Sequence, residues 1–174
     1  VPTTGTRFET RLDFERAGLG AARNYEQLVG SWANFNTWGR YTLLLGADFT
    51  TTDDADDLVQ AFTELGGYLN LSGLDTGAIS GPHTFVGRAV LQRRLGETGG
   101  GVFDLPWYLG ASLEAGNVWA TRDDVSTNDL IMNGSIYARL DTLIGPLFLA
   151  TGFGENGETT VYLFLGAAIT NSLR

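Results

Sequence analysis

Apolar and polar residues alternate with a period of two along most of the chain, the signature of strands with one wet and one dry side. From Thr6 to Arg16, Phe8, Thr10, Leu12 and Phe14 share one side. Arg7, Glu9, Arg11, Asp13 and Glu15 share the other. Such a run of charge demands water, while the opposite side suits lipid or a core. Asn24 to Phe35 has the composition of a strand, but Leu28, Val29 and Trp32 do not share one parity. Asn36-Thr37-Trp38-Gly39 then reads as a tight turn. Alternation is clean again from Arg40 to Thr50, with Tyr41, Leu43, Leu45, Ala47 and Phe49 opposite Thr42, Gly46 and Asp48. Thr84 to Leu95 sets Phe85, Gly87, Ala89 and Leu91 against Arg88, Gln92 and Arg94. Pro106 to Trp119 sets Leu109, Ala111, Leu113 and Ala115 against Gly110, Ser112, Glu114 and Gly116. Ser135 to Thr142 sets Ile136, Ala138 and Leu140 against Arg139 and Asp141. Leu147, Leu149 and Phe153 follow Gly145-Pro146, and Val161, Leu163, Leu165, Ala167 and Ile169 follow an Asn156-Gly157 hairpin turn.

These segments predict eight strands, sequential and antiparallel because most turns between them are short. Turns at 36–39, 96–104 and 143–146 fall on one rim. The other rim carries 17–23, 51–82, 120–130 and 155–158. The 51–82 stretch runs from an Asp-rich start to Gly81-Pro82, far beyond the usual connection length, and such loops are functional or disordered. A short helix is expected within Asp57–Leu65, with Asp56 or Asp57 as its N-cap. The 174 residues suit one domain, 1–174, of all-β class: an antiparallel up-and-down β-barrel.

Alternation alone does not say which side faces out. The chain has no lysine, so all 11 of its basic residues are arginine, whereas water-facing surfaces of soluble proteins usually carry lysine. Aromatics gather near strand ends: Phe35, Trp38, Trp107 and Tyr108 at one rim, and Phe49, Trp119 and Phe153 at the other. Aromatic belts at both interfaces are a feature of transmembrane barrels. No run of 18 apolar residues predicts a membrane helix, and a mean hydropathy of −0.01 fits strands that are apolar at every second position. Val1 opens on a polar stretch, so a mature chain without a leader is expected. The expected barrel is therefore transmembrane, with outer-membrane lipid as its first partner.

Candidate chemistry is sparse. There is no cysteine, and His83 is the only histidine, which removes thiolate and histidine-cluster metal sites. A net charge of −9 argues against nucleic acid. No nucleophile elbow, P-loop or dinucleotide fingerprint occurs. The Asp53–Asp57 run reads as a solvated loop face rather than a cation site. No catalytic residue, metal or cofactor is assigned, and the chain is not expected to be an enzyme.

Two segments carry a resemblance. The loop reads Phe62-Thr63-Glu64-Leu65-Gly66-Gly67-Tyr68-Leu69-Asn70-Leu71-Ser72-Gly73-Leu74, and a later strand reads Tyr108-Leu109-Gly110-Ala111-Ser112-Leu113-Glu114-Ala115-Gly116-Asn117-Val118-Trp119. Together they resemble the C-terminal half of the barrel of the BamA-type outer-membrane superfamily (the bacterial surface antigen family). The nearest branch is the PlpD-like one, whose barrels are attached to patatin-like phospholipases. Thr4-Gly5-Thr6, Asp141-Thr142, Gly145-Pro146-Leu147 and Tyr162-Leu163-Phe164-Leu165-Gly166 add to the likeness, which spans essentially the whole chain.

The resemblance implies that the loop enters the lumen. In the superfamily an Arg-Gly in the loop meets an acidic residue of a later strand. By position Ser72-Gly73 replaces Arg-Gly, and Glu114 is the acidic partner, so a neutral hydroxyl stands in for a charged donor. The implied loop motif is Gly66, Gly67, Asn70, Ser72 and Gly73. Arg7, Glu9, Arg11, Asp13, Asp48, Arg88, Gln92, Arg139 and Asp141 would line the lumen. Leu43, Leu45, Leu109, Leu113, Leu149, Leu163 and Leu165 would face lipid.

The family's barrel has sixteen strands and this chain matches eight. A closed barrel of ~8 strands is filled by its own side chains and leaves no room for such a loop. Three arrangements remain: two copies pairing into one sixteen-stranded homodimeric barrel, one chain closing alone with the loop expelled, or a piece of a longer protein. Pairing of two copies is the expected one. The function implied is a membrane anchor or translocation module for a tethered or translocated protein domain in the bacterial outer membrane, with the loop gating or plugging the lumen. A small passive pore and, behind it, a soluble ligand-binding β-barrel are the alternatives.

Overall fold

A computed structural model describes residues 4–15, 25–53, 62–96 and 105–166. The strands are β1 (Gly5–Glu15), β2 (Tyr25–Trp38), β3 (Tyr41–Asp53), β4 (Thr63–Leu65), β5 (Ile79–Gly81), β6 (His83–Arg94), β7 (Trp107–Trp119), β8 (Ile131–Thr142), β9 (Gly145–Gly154) and β10 (Thr159–Leu165). Eight of them form one antiparallel up-and-down sheet in the order β1-β2-β3-β6-β7-β8-β9-β10, and β4 and β5 pair separately. The protein is thus all-β, as the alternation predicts.

Several boundaries differ from the sequence reading. The β2–β3 ladder runs on to Trp38↔Tyr41, so the turn is Gly39-Arg40 rather than 36–39. Two-residue hairpins are favoured because their twist matches that of the strands. The same ladder resolves the parity of β2. Val29, Ser31 and Ala33 pair with Thr50, Asp48 and Gly46, and Trp32 falls on the side of Phe8 and Ala47. β3 extends through Thr51 and Thr52 to Asp53, into the stretch assigned to the loop. Thr63–Leu65, the end of the expected helix, is strand, because its backbone pairs with Ile79–Gly81. Phe62 is in no helix, and residues 57–61 of the expected helix, with Ala167 to Ile169, lie outside the described residues.

Closure separates the three arrangements. Among the described residues the sheet is not closed: β1 pairs with β2 and β10 with β9, and no ladder joins β1 to β10. The reason lies in the loop. Residues 62–82 lie against one face of the sheet, where Tyr68 sits 5.3 Å from Phe164 of β10. The same Tyr68 lines a cavity with Val29 of β2. On a flat sheet those strands would stand about 29 Å apart, six spacings of ~4.8 Å. The sheet therefore curls around the loop, and an eight-stranded interior has no space to close over it. The arrangement in which one chain closes alone with its loop expelled is thereby overturned.

Curling gives the sheet an inner and an outer face. The outer face is apolar and bare: Leu109, Leu113, Leu149, Leu163 and Leu165 are 47–71% exposed, and Phe8, Leu12 and Ile136 are comparably exposed. Leu43 and Leu45 share this face but are half-buried. The inner face is not purely polar. Phe35, Leu44, Val90, Tyr137, Phe148 and Ala150 form a buried cluster with Leu69 of the loop. Phe35 therefore belongs to the core, not to a rim belt. Among the other expected belt residues, Trp38, Trp107, Phe49 and Phe153 are exposed, whereas Trp119 is buried.

Candidate functional site

The inner loop is a compact turn system. Gly66 N–H donates to the Asn70 carbonyl (2.8 Å), Asn70 N–H to that of Gly67 (2.9 Å) and Gly67 N–H to that of Leu74 (3.1 Å). The Asn70 side chain reaches back to the Gly66 carbonyl at 3.4 Å. Gly66 has φ +118, and a side chain there would overlap the Asp75 carbonyl. Leu69 and Leu71 also have positive φ, at 59 and 70. Left-handed backbone costs an ordinary residue about 1–2 kcal/mol. Burial offsets it, since both leucines are at most 3% exposed and a buried leucine contributes ~1.5–3 kcal/mol. Leu71 packs with Leu65 and Val86, which ties the strained turn to β6.

This geometry presents Ser72-Gly73 to the inner face of β7–β10. Glu114, 1% exposed, accepts from Ser72 N–H (2.6 Å), from Ser72 Oγ (2.7 Å) and from Ser112 Oγ (2.6 Å). Gly73 N–H donates to Asn133 Oδ1 at 2.8 Å. Tyr162 Oη lies 2.9 and 3.0 Å from the Ser72 and Leu74 carbonyls and shares its single proton between them. Thr160 Oγ1 donates to the Gly73 carbonyl at 3.1 Å. At Gly152 of β9 an added Cβ would overlap the Ser72 carbonyl, so backbone meets backbone there. Polar groups buried this deeply require such partners.

The structure brings Ser72 and Glu114 together, the pair that the resemblance implies. It also places a cation beside them from the wall rather than the loop. Arg88 of β6 stands directly opposite Glu114 in the β6–β7 ladder and forms an ion pair with Asp48 of β3. The side chain of Arg88 is only 9% exposed. Arg139 is held by Asp141 (2.6 Å) and lies over the rings of Tyr108 (4.6 Å) and Phe148 (5.8 Å). Gln92 accepts from Tyr137 Oη at 3.2 Å. Arg7 pairs with Glu9 and Arg11 with Asp13 on the inner side of β1, where both arginines are far more exposed than Arg88 and Arg139. Asp53, at the head of the acidic run, pairs with Arg122, and Asp54 to Asp57 lie outside the described residues.

Sequence reasoning missed four groups that hold the loop: Asn133, Thr160, Tyr162 and Tyr68. The first three have the inward parity of their strands, a signal that was present but did not single them out. Tyr68 is the centre of an aromatic cluster, 5.3–6.2 Å from Tyr137, Phe148, Tyr162 and Phe164. Burial pushes its phenol above the usual tyrosine range, and its Oη has no hydrogen-bond partner among the described residues.

Beside the loop, toward β2 and β3, remains a cavity of about 550 Å³. Ser31, Asp48, Thr50, Asn70, Thr76 and Arg88 give it a polar lining. The inner face is thus sealed by the loop on one side and open on the other. No protein-family model matches the chain, and no curated protein matches it.

Proposed function

We propose that this chain is a subunit of a bacterial outer-membrane β-barrel of the surface-antigen type. It anchors, or helps translocate, a protein domain, and the inner loop plugs or gates a polar lumen. One observation carries the reading: the bare, convex side of the sheet is the apolar side, out to both edge strands, while charge and loop occupy the concave side. Phe8, Leu12 and Phe14 on β1 and Val161, Leu163 and Leu165 on β10 are all more than half exposed. A soluble ligand-binding barrel would bury such residues. A membrane barrel offers them to hydrocarbon.

The two edges support a further step. Edges of soluble sheets are normally blunted by proline, lysine or bulges. β1 and β10 contain neither residue, and their ladders run without interruption. In hydrocarbon an unpaired edge leaves backbone groups unsatisfied at several kcal/mol each. More strands must therefore complete the wall. A second copy supplies them most simply, since β1 of one copy can add antiparallel to β10 of the other, giving sixteen strands. The cavity beside the loop favours one alternative, a small passive pore, because the loop leaves part of the inner face uncovered.

Mass in detergent tests the assembly: two chains per particle are expected, and a monodisperse single chain that is stably folded overturns the pairing. Orientation is tested by arginine substitution. Leu113→Arg on the outer face should impair insertion by about 2–4 kcal/mol at mid-depth. Ser31→Arg, on the inner face between Glu9 and Asp48, should insert nearly as well as the parent. Equal effects would remove the membrane reading. Conductance in a planar bilayer would favour the pore, and silence the plugged anchor.

A further inference from the structure

The connection between β7 and β8 does not project from the rim. Trp119 has the outward parity of Leu113, which is 68% exposed, yet Trp119 is only 6% exposed. The connection folds over it. Trp119 Nε1 donates to Asp129 Oδ2 at 3.0 Å, and Asn117 Nδ2 to the Asp129 carbonyl at 2.7 Å. Arg122 reaches Asp53 at the end of β3 and straps the connection across three strands. Between it and the sheet lies a cavity of about 320 Å³. Phe49, Phe85, Trp119, Val125 and Leu130 provide its apolar wall. The exposed Arg122 and Thr127 and the half-buried Ser126 add polar groups to its lining from the connection.

This pocket is separate from the inner loop, because Phe49 and Phe85 belong to the outer face. The bare apolar surface of the strands therefore runs into the pocket through Phe49 and Phe85, and beyond them the floor holds Thr51 and His83, hydrogen-bonded to each other at 2.7 Å. Polar bonds through Asp129 and Arg122 hold the cover in place, so the space does not depend on the cover collapsing onto the sheet. An apolar chamber with polar groups on its cover, continuous with an apolar wall, matches a molecule with a hydrocarbon tail and a polar head. We propose that the pocket holds one acyl chain of a membrane lipid, with the lipid's polar part at Arg122, Ser126 and Thr127. The proposal rests on the membrane reading above and adds a defined lipid site at the longer-looped rim.

Trp119 reports on the site. The other tryptophans, Trp32, Trp38 and Trp107, are replaced by phenylalanine, and the full chain is reconstituted in vesicles of phosphatidylcholine brominated along its acyl chains. Bromine quenches indole only near contact. The cover shields Trp119 from lipid outside the pocket, so quenching requires a chain within it. A second variant retains only Trp107, which is 45% exposed at the opposite rim, and reports general contact with lipid.

Strong quenching of both variants is expected. Filling the pocket with Val125→Phe and Leu130→Phe should at least halve the quenching of Trp119 while folding, read as a heat-induced gel shift, is retained. If the double variant does not fold, Val125→Phe alone, at a half-exposed position, serves the same purpose. Quenching of Trp107 with none of Trp119 would overturn the lipid site and leave the membrane reading standing. Undiminished quenching in the filled variant would also overturn it. Absence of quenching in both would remove the membrane reading itself.

Discussion

The inner sides of β7 and β1 both alternate with an apolar outer side, and their polar groups end in opposite states. On β7 the loop covers the face. Glu114 and Ser112 are buried, and Glu114 accepts three hydrogen bonds. On β1, Arg7, Glu9 and Arg11 stay exposed, and their ion pairs lie between neighbours two residues apart. Pattern alone thus fixes which way a side chain points, and the loop decides whether it is buried. The energies separate accordingly. A hydrogen bond to a buried charge is worth roughly 1.5–3 kcal/mol, and an exposed ion pair about 0–1. The sheet is held in shape from the side of β6–β10, while β1 keeps its polar groups exposed and pairs with β2 alone among the described residues.

Removing the acceptor at the centre of the covered side should have the largest effect. Glu114→Leu leaves Ser72 N–H without a partner and Arg88 without the carboxylate opposite it. A loss of about 3–5 kcal/mol is expected in urea unfolding from lipid vesicles. Proteases should also gain access to 62–82. Glu114→Gln, which keeps an acceptor, should lose clearly less. A loop equally protected in Glu114→Leu would mean that its apolar contacts alone hold it, and the contrast with β1 would lose its cause. Next in size is Gly152→Ala. The added methyl meets the Ser72 carbonyl, so loop or β9 must shift, and overpacking of this kind costs about 1–3 kcal/mol. Tyr162→Phe deletes one proton shared by two carbonyls and should cost ~1–2 kcal/mol with little change in proteolysis.

Most of the fold was legible in the sequence because alternation reports parity directly. All eight strands of the main sheet lie where period two places them, apart from shifts of a few residues at their ends. β2 was the exception, since Gly30, Ser31 and Ala33 are too small or too ambivalent to mark a side, and only its ladders with β1 and β3 orient it. The pairing of Ser72 with Glu114 was reached through likeness to a family motif, not through spacing. What the sequence hid was the apolar patch under the loop. Phe35, Leu44, Val90 and Phe148 sit at inward positions where the pattern predicted water, and nothing local announces that a loop from a distant part of the chain will cover them. That eight strands would not close over the loop was legible from the loop's length, since an eight-stranded interior is filled by its own side chains.

The finest test of the contrast uses a motif present on both sides. Arg11–Asp13 on β1 and Arg139–Asp141 on β8 have the same spacing. Their surroundings differ: the Arg11 side chain is 64% exposed, and that of Arg139 is 11% exposed and lies over Tyr108 and Phe148. Double-mutant cycles with alanine should give a coupling of about 1 kcal/mol or more for Arg139–Asp141, because stacking fixes the guanidinium and excludes water. The Arg11–Asp13 coupling should lie near the low end of the exposed range, about 0.2–0.5 kcal/mol, and should fall further with salt. This smallest effect is also the most discriminating for assembly. If a second copy completes the wall beside β1, its β10 brings inward-pointing Thr160, Tyr162 and Phe164 to the strand next to Arg11 and Asp13. The exposed pair then gains aromatic neighbours, and its coupling rises toward that of Arg139–Asp141. A coupling that stays low and salt-sensitive in the assembled particle would show that nothing of that kind lies against β1, and a strand other than β10 would have to close the barrel.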